Sequence, residues 1–448
     1  MAVTAPPAHG AEGIHKIEHV VTIMQENRSF DQYFGTYPGA AGFPPGVCVP
    51  DPVNGGCQRP FHDHTVVNNG GPHSAKNAAG DIAGGEMNGF VDQIEKAKGC
   101  QPGETRCLSC AVAPGAEQCI DVMSYRDARE IPNYWEYASH FVLQDNMFES
   151  EASWSLPEHL ALVSAWSAIC PTGDSNPLDC ASSLYDISNT NKNVTVKARW
   201  SDITYLLHRA GVSWRYYLVK GIIPDCEFDE AVECKESTRQ TPTTSGNWNP
   251  LRDFADVGSD GELGNIQSLN RFYEAVHATS CGLPNVSWVV PNQEVSEHPR
   301  ASIKRGQAYV TTLINAIMRS PCWSSTAIFL SWDDWGGFYD SVPPPVIDEN
   351  GYGLRVPGLV ISPYARAGYI DHQLLSHDAY LKFIEDDFLG GQRLDPATDG
   401  RPDSRPDVRE ANPELGDLAA AFDFTQEPQP PLILSTHPEP GPASEPPK

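Results

Sequence analysis

Apolar residues along the chain fall into two kinds of stretch. Short runs rich in β-branched and aromatic residues occur at 17–24 (IEHVVTIM), 140–143, 216–219, 286–290, 327–330 and 358–361, and each has the length and composition of a buried strand. Between them lie segments whose apolar residues recur three and four apart. In Ile303–Met318, Ile303, Val310, Leu313, Ile314 and Ile317 fall on one face, and Leu381, Phe383, Ile384 and Phe388 do the same in 380–389. Strands that alternate with helices predict an α/β protein with a largely parallel sheet, and in such sheets ligand sites gather at the carboxyl ends of the strands.

The pattern lapses in three places. Residues 39–118 are rich in Gly, Pro, Asn and Cys with little periodicity and read as long loops, and 225–264 read as a second loop-like insert. After Thr425 the chain turns Pro-rich, which favours extended, solvated backbone, although Leu432, Ile433 and Leu434 give its first part a means of packing on the body. The organisation expected is one catalytic domain over 1–425, carrying both inserts, and a tail over 426–448.

Charge narrows the function classes. With 58 acidic against 31 basic residues the formal net charge is -27, which repels nucleic acid and anionic membrane surfaces at long range, so a polynucleotide-binding role is disfavoured. Twelve cysteines include the close pairs Cys48 and Cys57, Cys100 and Cys107, Cys110 and Cys119, Cys170 and Cys180, and Cys226 and Cys234. Such spacing suits local disulfide loops formed in an oxidising compartment. The lone C-x-x-C of Cys107 and Cys110 has no second pair at zinc-ribbon spacing, so a metal role there is disfavoured. Neither a transmembrane run nor the apolar core of a signal peptide is visible, and the expectation is a secreted or periplasmic protein whose leader has been removed. The sequence sets no oligomeric state.

Candidate chemistry lies where the strands end. After the first comes Gln25-Glu26-Asn27-Arg28-Ser29-Phe30-Asp31, oxygen ligands of the kind a hard divalent cation takes; alone, the heptapeptide reads equally well as a capped turn. After the run at 327–330 comes Ser331-Trp332-Asp333-Asp334-Trp335-Gly336-Gly337. Two adjacent carboxylates among aromatics repel and lose solvation unless a cation or a hydrogen-bond network offsets both costs, whereas an exposed turn would carry neither. In Ser153-Trp154-Ser155-Leu156-Pro157-Glu158-His159, Pro157 fits the first turn of a helix, so Ser155 lies at or beside an N-terminus that favours an anionic phosphate. A helix start without chemistry is the plain alternative, and Ser153 is the competing hydroxyl. Of fourteen histidines, His73 in GPHS, His298 in EHP and His377 in SHD stand in polar loops or just before a helix as acid–base candidates. Each alone is as readily a hydrogen-bonded surface group.

Taken in order, ENRSFD after the first strand, Ser-x-Pro at Ser155, Glu-His-Pro and WDDWGGFYD resemble the family of bacterial phospholipases C and acid phosphatases, which also includes plant non-specific phospholipases C. The likeness runs from about 17 to 434. It implies an alkaline-phosphatase-like fold, a large sheet between helical layers. It also implies Glu26, Asn27, Asp333 and Asp334 as metal ligands, Ser155 as the residue that becomes phosphorylated, and His73, His298 and His377 as groups that hold the phosphate or assist the leaving group. The implied cofactor is a divalent ion: calcium, magnesium, manganese or zinc. The implied substrate is a phospholipid phosphodiester, with a small phosphate monoester as the alternative; a non-catalytic secreted metal-binding protein is the alternative of another class. The extra carboxy-terminal domains of some large phospholipases C are not expected, because the tail is short and Pro-rich, and contact with a membrane surface is expected to be transient at most.

Overall fold

The computed structural model describes residues 12–171, 176–185, 196–225 and 238–447. Its centre is a sheet of eight strands: β1 (His19–Gln25), β2 (Val142–Gln144), β3 (Trp214–Leu218), β4 (Ile266–Ser268), β5 (Val286–Val290), β6 (Thr326–Trp332), β7 (Gly358–Ile361) and β8 (Tyr369–Asp371), in the order β4-β3-β5-β1-β6-β7-β2-β8. β7 runs antiparallel to both of its neighbours, and every other pairing is parallel. All seven residues of β1 and all seven of β6 are buried, which is why these segments read as mostly apolar runs without alternation: both faces of the sheet are covered.

The covering helices are α1 (Phe30–Phe34), α2 (Ala75–Ile82), α3 (Phe90–Lys98), α4 (Pro132–His140), α5 (Ser155–Ser164), α6 (Ile203–Ala210), α7 (Ala255–Ser259), α8 (Leu269–Val276), α9 (Ile303–Met318) and α10 (Asp378–Phe388). Six of them form two groups. α5 packs against α6 and α10, and α10 reaches the sheet where Tyr380 stacks on Phe329 at 4.9 Å between ring centroids; α9 packs against α4 and α8, which reach the sheet through β2, β7 and β3. The result is the three-layer α/β architecture expected. All ten residues of α5 are buried, as befits a helix enclosed by its neighbours.

The two strands without a sequence signal, β4 and β8, are the sheet's edges. Each has three residues and only one of them is fully buried, so no apolar run marks them. The stretch 39–118 also holds more than loops: α2 and α3 carry Ala78, Phe90, Val91 and Ile94 into a second hydrophobic cluster with Val122, Trp335 and Tyr339. Helices of 8 and 9 residues between glycines give too few turns for a clear period. The expected pairs Cys48–Cys57, Cys100–Cys107, Cys110–Cys119 and Cys170–Cys180 are disulfides, as is the long-range Cys281–Cys322; Cys226 and Cys234 lie outside the described residues. No described helix is long and apolar enough to cross a membrane.

The tail is extended but not free in solvent. Leu432 and Leu434 pack against the main core, Ile433 is 39% exposed, and Asn133 and Asn315 donate to the carbonyls of Ser435 and Leu434 at 2.8 Å each. Farther on, Ser444 Oγ donates to Asp127 Oδ2 at 2.9 Å.

Candidate active site

Register brings the two acidic motifs together. β1 and β6 are parallel neighbours with Gln25 opposite Trp332, so Glu26 and Asp333 leave the sheet side by side, and the Asp333 N–H donates to Gln25 O at 3.0 Å. Asn27 then turns the chain with φ 54°, a left-handed conformation that Asn tolerates better than most residues. In that turn its N–H donates to Asp333 Oδ1 at 3.0 Å, and its side-chain amide donates to Asp334 Oδ1 at 2.9 Å and lies 2.9 Å from His73 Nε2. Gly336 and Gly337 make this approach feasible. With φ of 61° and 73°, a Cβ on them would come within 2.8 Å of Asn27 Cβ and 2.4 Å of Gly71 Cα. Gly71, which donates to Gly336 O at 2.9 Å, in turn leads to His73.

Ser155 is the first residue of α5, after an extended Trp154, so the N–H groups of its first turn have no helical acceptors. Its hydroxyl is 3.1 Å from Asp225 Oδ2 and 3.1 Å from Asp334 Oδ2. A hydroxyl has one proton to give, so the two carboxylates cannot both be served by it when both are ionised. Their surroundings separate them. Burial and then Asp333 push Asp334 well above the usual carboxylate range; at Asp225 burial is outweighed by the His298 and His73 imidazoles, which hold it well below that range. The competing hydroxyl of Ser153 donates elsewhere, to Leu184 O at 3.0 Å.

The histidines divide. His298 Nε2 is 3.0 Å from Asp225 Oδ1 and its Nδ1 is 3.0 Å from Pro299 O; His73 Nδ1 donates to Gly71 O at 3.0 Å, and its Nε2 is 3.6 Å from Asp225 Oδ2. These two rings and Asp225 present one ligand-type atom each within 4.8 Å of one another. They are also the site's link to solvent, at 7% and 4% exposure, while Ser155 is wholly enclosed. His377 is not brought to this group. Its ring is clasped between Glu158 and Ser331 Oγ, the latter at 2.9 Å, and burial lowers its pKa to about 4.

Two residues that the sequence reading passed over belong here. His159 stands four positions after Ser155 on the same helical face, a spacing that was open to inspection. Its Nε2 is 3.6 Å from Asp333 Oδ2, and its ring meets Trp248 edge-on at 4.0 Å. Asp225 follows β3 after a short excursion of chain and opens a stretch that also holds Glu227, Asp229 and Glu230; only its place beyond a strand's carboxyl end hinted at it.

The profile of the Phosphoesterase family matches residues 17–389. The chain belongs to that family. It is a phosphoric ester hydrolase, and the non-catalytic alternative is not favoured. Curated relatives of this phosphoesterase include phospholipase C B of Mycobacterium tuberculosis, 26% identical over 94% of this chain and 80% of that one. The non-hemolytic phospholipase C of Pseudomonas aeruginosa is 26% identical over 86% of this chain and 56% of that one. Among solved structures, a protein of the alkaline phosphatase superfamily from Vibrio parahaemolyticus overlays with a TM-score of 0.34 and 13% identity, over 57% of this chain and 60% of that one; so loose a likeness carries no argument.

The phosphoesterase site fits a divalent cation. Asp333 Oδ2, Asn27 Oδ1 and both ring nitrogens of His159 are buried without a hydrogen-bond partner among the described residues. Glu26, Glu149, Asp333 and Asp334 are all 0% exposed, and burial with Asp334 as neighbour raises Glu149 as well. Buried like charges with unfilled acceptors are costly unless a cation or protons offset them.

Proposed function

We propose that this phosphoesterase cleaves a phospholipid phosphodiester in the manner of a phospholipase C, yielding diacylglycerol and a phosphorylated head group, with Ser155 as the nucleophile. The observation that carries the mechanism is the Ser155 hydroxyl, held 3.1 Å from an ionised Asp225 at the start of α5. The substrate class is supported by the relatives named phospholipase C.

Glu26, Asn27, Asp333 and Asp334, with His159 as a further donor, would hold the cation, which supplies charge neutralisation for the phosphate and lowers the proton affinity of the hydroxyl. The oxygens favour calcium, magnesium or manganese, and the imidazole brings zinc into range. Asp225 accepts the Ser155 proton as Oγ bonds to phosphorus and the bond to the glycerol oxygen breaks, and His298 gives a proton to the departing alkoxide. The first-turn N–H groups of α5 and the His73 ring stabilise charge on the phosphoryl oxygens. In the second half, water attacks phosphorus from the opposite side and gives its proton to His298, while Asp225 returns the first proton to Ser155 as the phosphoserine bond breaks. His377 positions Glu158 and Ser331 and does not itself reach the phosphate. The disulfides support an oxidising, secreted or periplasmic setting, and the net acidity supports no more than transient contact with a membrane.

The test is parallel hydrolysis of phosphatidylcholine and p-nitrophenyl phosphate by metal-loaded, metal-stripped and Ser155→Ala protein. Phosphocholine release that needs both metal and Ser155 is the expected result. Turnover of the monoester alone would make the protein a phosphatase, and activity on neither would overturn the reading.

A further inference from the structure

Away from the phosphoesterase site, two imidazoles meet near the surface. His62 and His64 flank Asp63, whose side chain is fixed on every side. Its Oδ2 lies 2.9 Å from buried Arg126 and accepts from Asn68 at 3.1 Å and Thr65 Oγ1 at 3.0 Å, and its Oδ1 accepts the Thr65 N–H at 2.8 Å. The rings on either side are therefore held by a rigid centre. One carboxylate serves both: Glu130 Oε2 is 2.8 Å from His62 Nε2, and Glu130 Oε1 is 3.0 Å from His64 Nδ1. Those two ring nitrogens carry the protons that are donated. The remaining nitrogens, His62 Nδ1 and His64 Nε2, face each other at 3.1 Å.

In neutral rings both of those atoms are lone pairs, and lone pairs at that separation repel unless something positive lies between them. A shared proton is one solution, and it makes one ring an imidazolium. A metal ion is the other. Two nitrogens at about 2.05 Å from one tetrahedral ion stand roughly 3.3 Å apart, close to the separation observed. A carboxylate that accepts the far N–H of a ligating histidine is also the arrangement that fixes its tautomer and raises its basicity. We propose that His62 and His64 bind one divalent ion of the zinc and copper group, with Glu130 orienting both rings. Imidazole nitrogen suits those ions better than it suits calcium or magnesium. A cleft of about 670 Å³, lined by both histidines with Thr65, Glu117 and Asp121 among others, leaves room for water to complete the coordination. The ion would clamp the start of the loop that leads to His73 and whose Asn68 carbonyl accepts the Arg300 N–H at 2.6 Å, two residues past His298.

The experiment is a Cu²⁺ titration of the whole protein, wild type against His64→Ala, followed by calorimetry and electron paramagnetic resonance. His64 is 70% exposed at its side chain and touches no group of the phosphoesterase site, so the variant keeps its fold and its turnover. Wild type is expected to bind one more equivalent of copper than His64→Ala, with the signature of two imidazole nitrogens on that ion. Glu130→Gln should keep the stoichiometry with binding weakened about 10- to 100-fold. Equal stoichiometry and identical spectra for wild type and His64→Ala would overturn the site and leave a shared proton between the rings.

Discussion

The two acidic motifs each have a near end and a far end, and the ends are built on opposite principles. At the far end Asp31 and Asp340 close on Arg355. Its Nε donates to Asp340 Oδ1 at 2.8 Å, Nη2 lies 3.2 Å from both Asp31 Oδ1 and Asp340 Oδ2, and Nη1 donates to the carbonyls of Ala41 and Asp145 at 2.6 and 2.8 Å. Asp31 Oδ2 takes the Ser341 N–H at 2.8 Å. Every carboxylate oxygen has a donor. At the near end Asp333 Oδ2 and Asn27 Oδ1, equally buried, have none among the described residues. A saturated network fixes the geometry of the loops, and an unsaturated one keeps capacity for a ligand. Burial alone does not distinguish the two; the count of satisfied atoms does.

The largest effect expected belongs to the near end. Ser155→Ala should lower turnover by about 10⁴-fold or more, roughly 5 kcal/mol in the transition state. Its stability in a urea titration should move by less than about 1 kcal/mol. Full activity in a folded variant would remove Ser155 from the mechanism and turn attention to a bound water.

Next come two substitutions whose effects should differ in sign. Asp333→Asn takes a charge from a cluster that lacks donors, so turnover should fall about 10²- to 10³-fold while the metal-free protein becomes no less stable. Arg355→Leu leaves Asp31 and Asp340 buried without their cation and should cost about 3 to 5 kcal/mol of stability. What remains folded should bind metal with little change. Comparable destabilisation by both substitutions, measured by urea titration in the absence of metal, would erase the distinction drawn here.

The same contrast explains how much the sequence made legible. Buried strands announced themselves, because β1, β5 and β6 are mostly apolar, buried throughout, and their carboxyl ends carry the motifs; the half-exposed edge strands β4 and β8 did not. Glu26, Asn27, Asp333 and Asp334 drew notice as polar groups directly after apolar runs, and register places both motif heads at the carboxyl ends of two neighbouring central strands. Asp225 was invisible, since nothing in the acidic stretch that also holds Glu227, Asp229 and Glu230 singles it out, and its contact with Ser155 spans 70 residues. His377 looked the equal of His298 because each stands beside an acidic residue. Only packing separates them: one ring meets Asp225 and is 7% exposed, and the other is sealed against Glu158. The Pro-rich composition of the tail spoke for extended backbone but was silent on Asn133 and Asn315, which bind it through carbonyls that any sequence would supply.

The smallest effect tests whether saturation or charge governs the enclosing shell. Glu297 adjoins His298 yet belongs to the saturated kind: Tyr33 and Tyr134 hydroxyls donate to it at 2.7 and 2.5 Å and Trp332 Nε1 at 3.1 Å. Burial nevertheless raises its pKa from 4.5 to about 7, against the pull of those donors. Between these two values folding takes up a proton. The stabilising contribution is therefore full below the unfolded value and is lost as pH rises through about 7, by at most about 3 kcal/mol. Glu297→Gln removes this titration, so its stability, measured in urea across that window, should decline less steeply with pH than that of the wild type. Burial, and then Asp340, raise Asp31 to about 7 as well. An unchanged slope in Glu297→Gln would move the titration to Asp31, where two carboxylates share the single cation of Arg355.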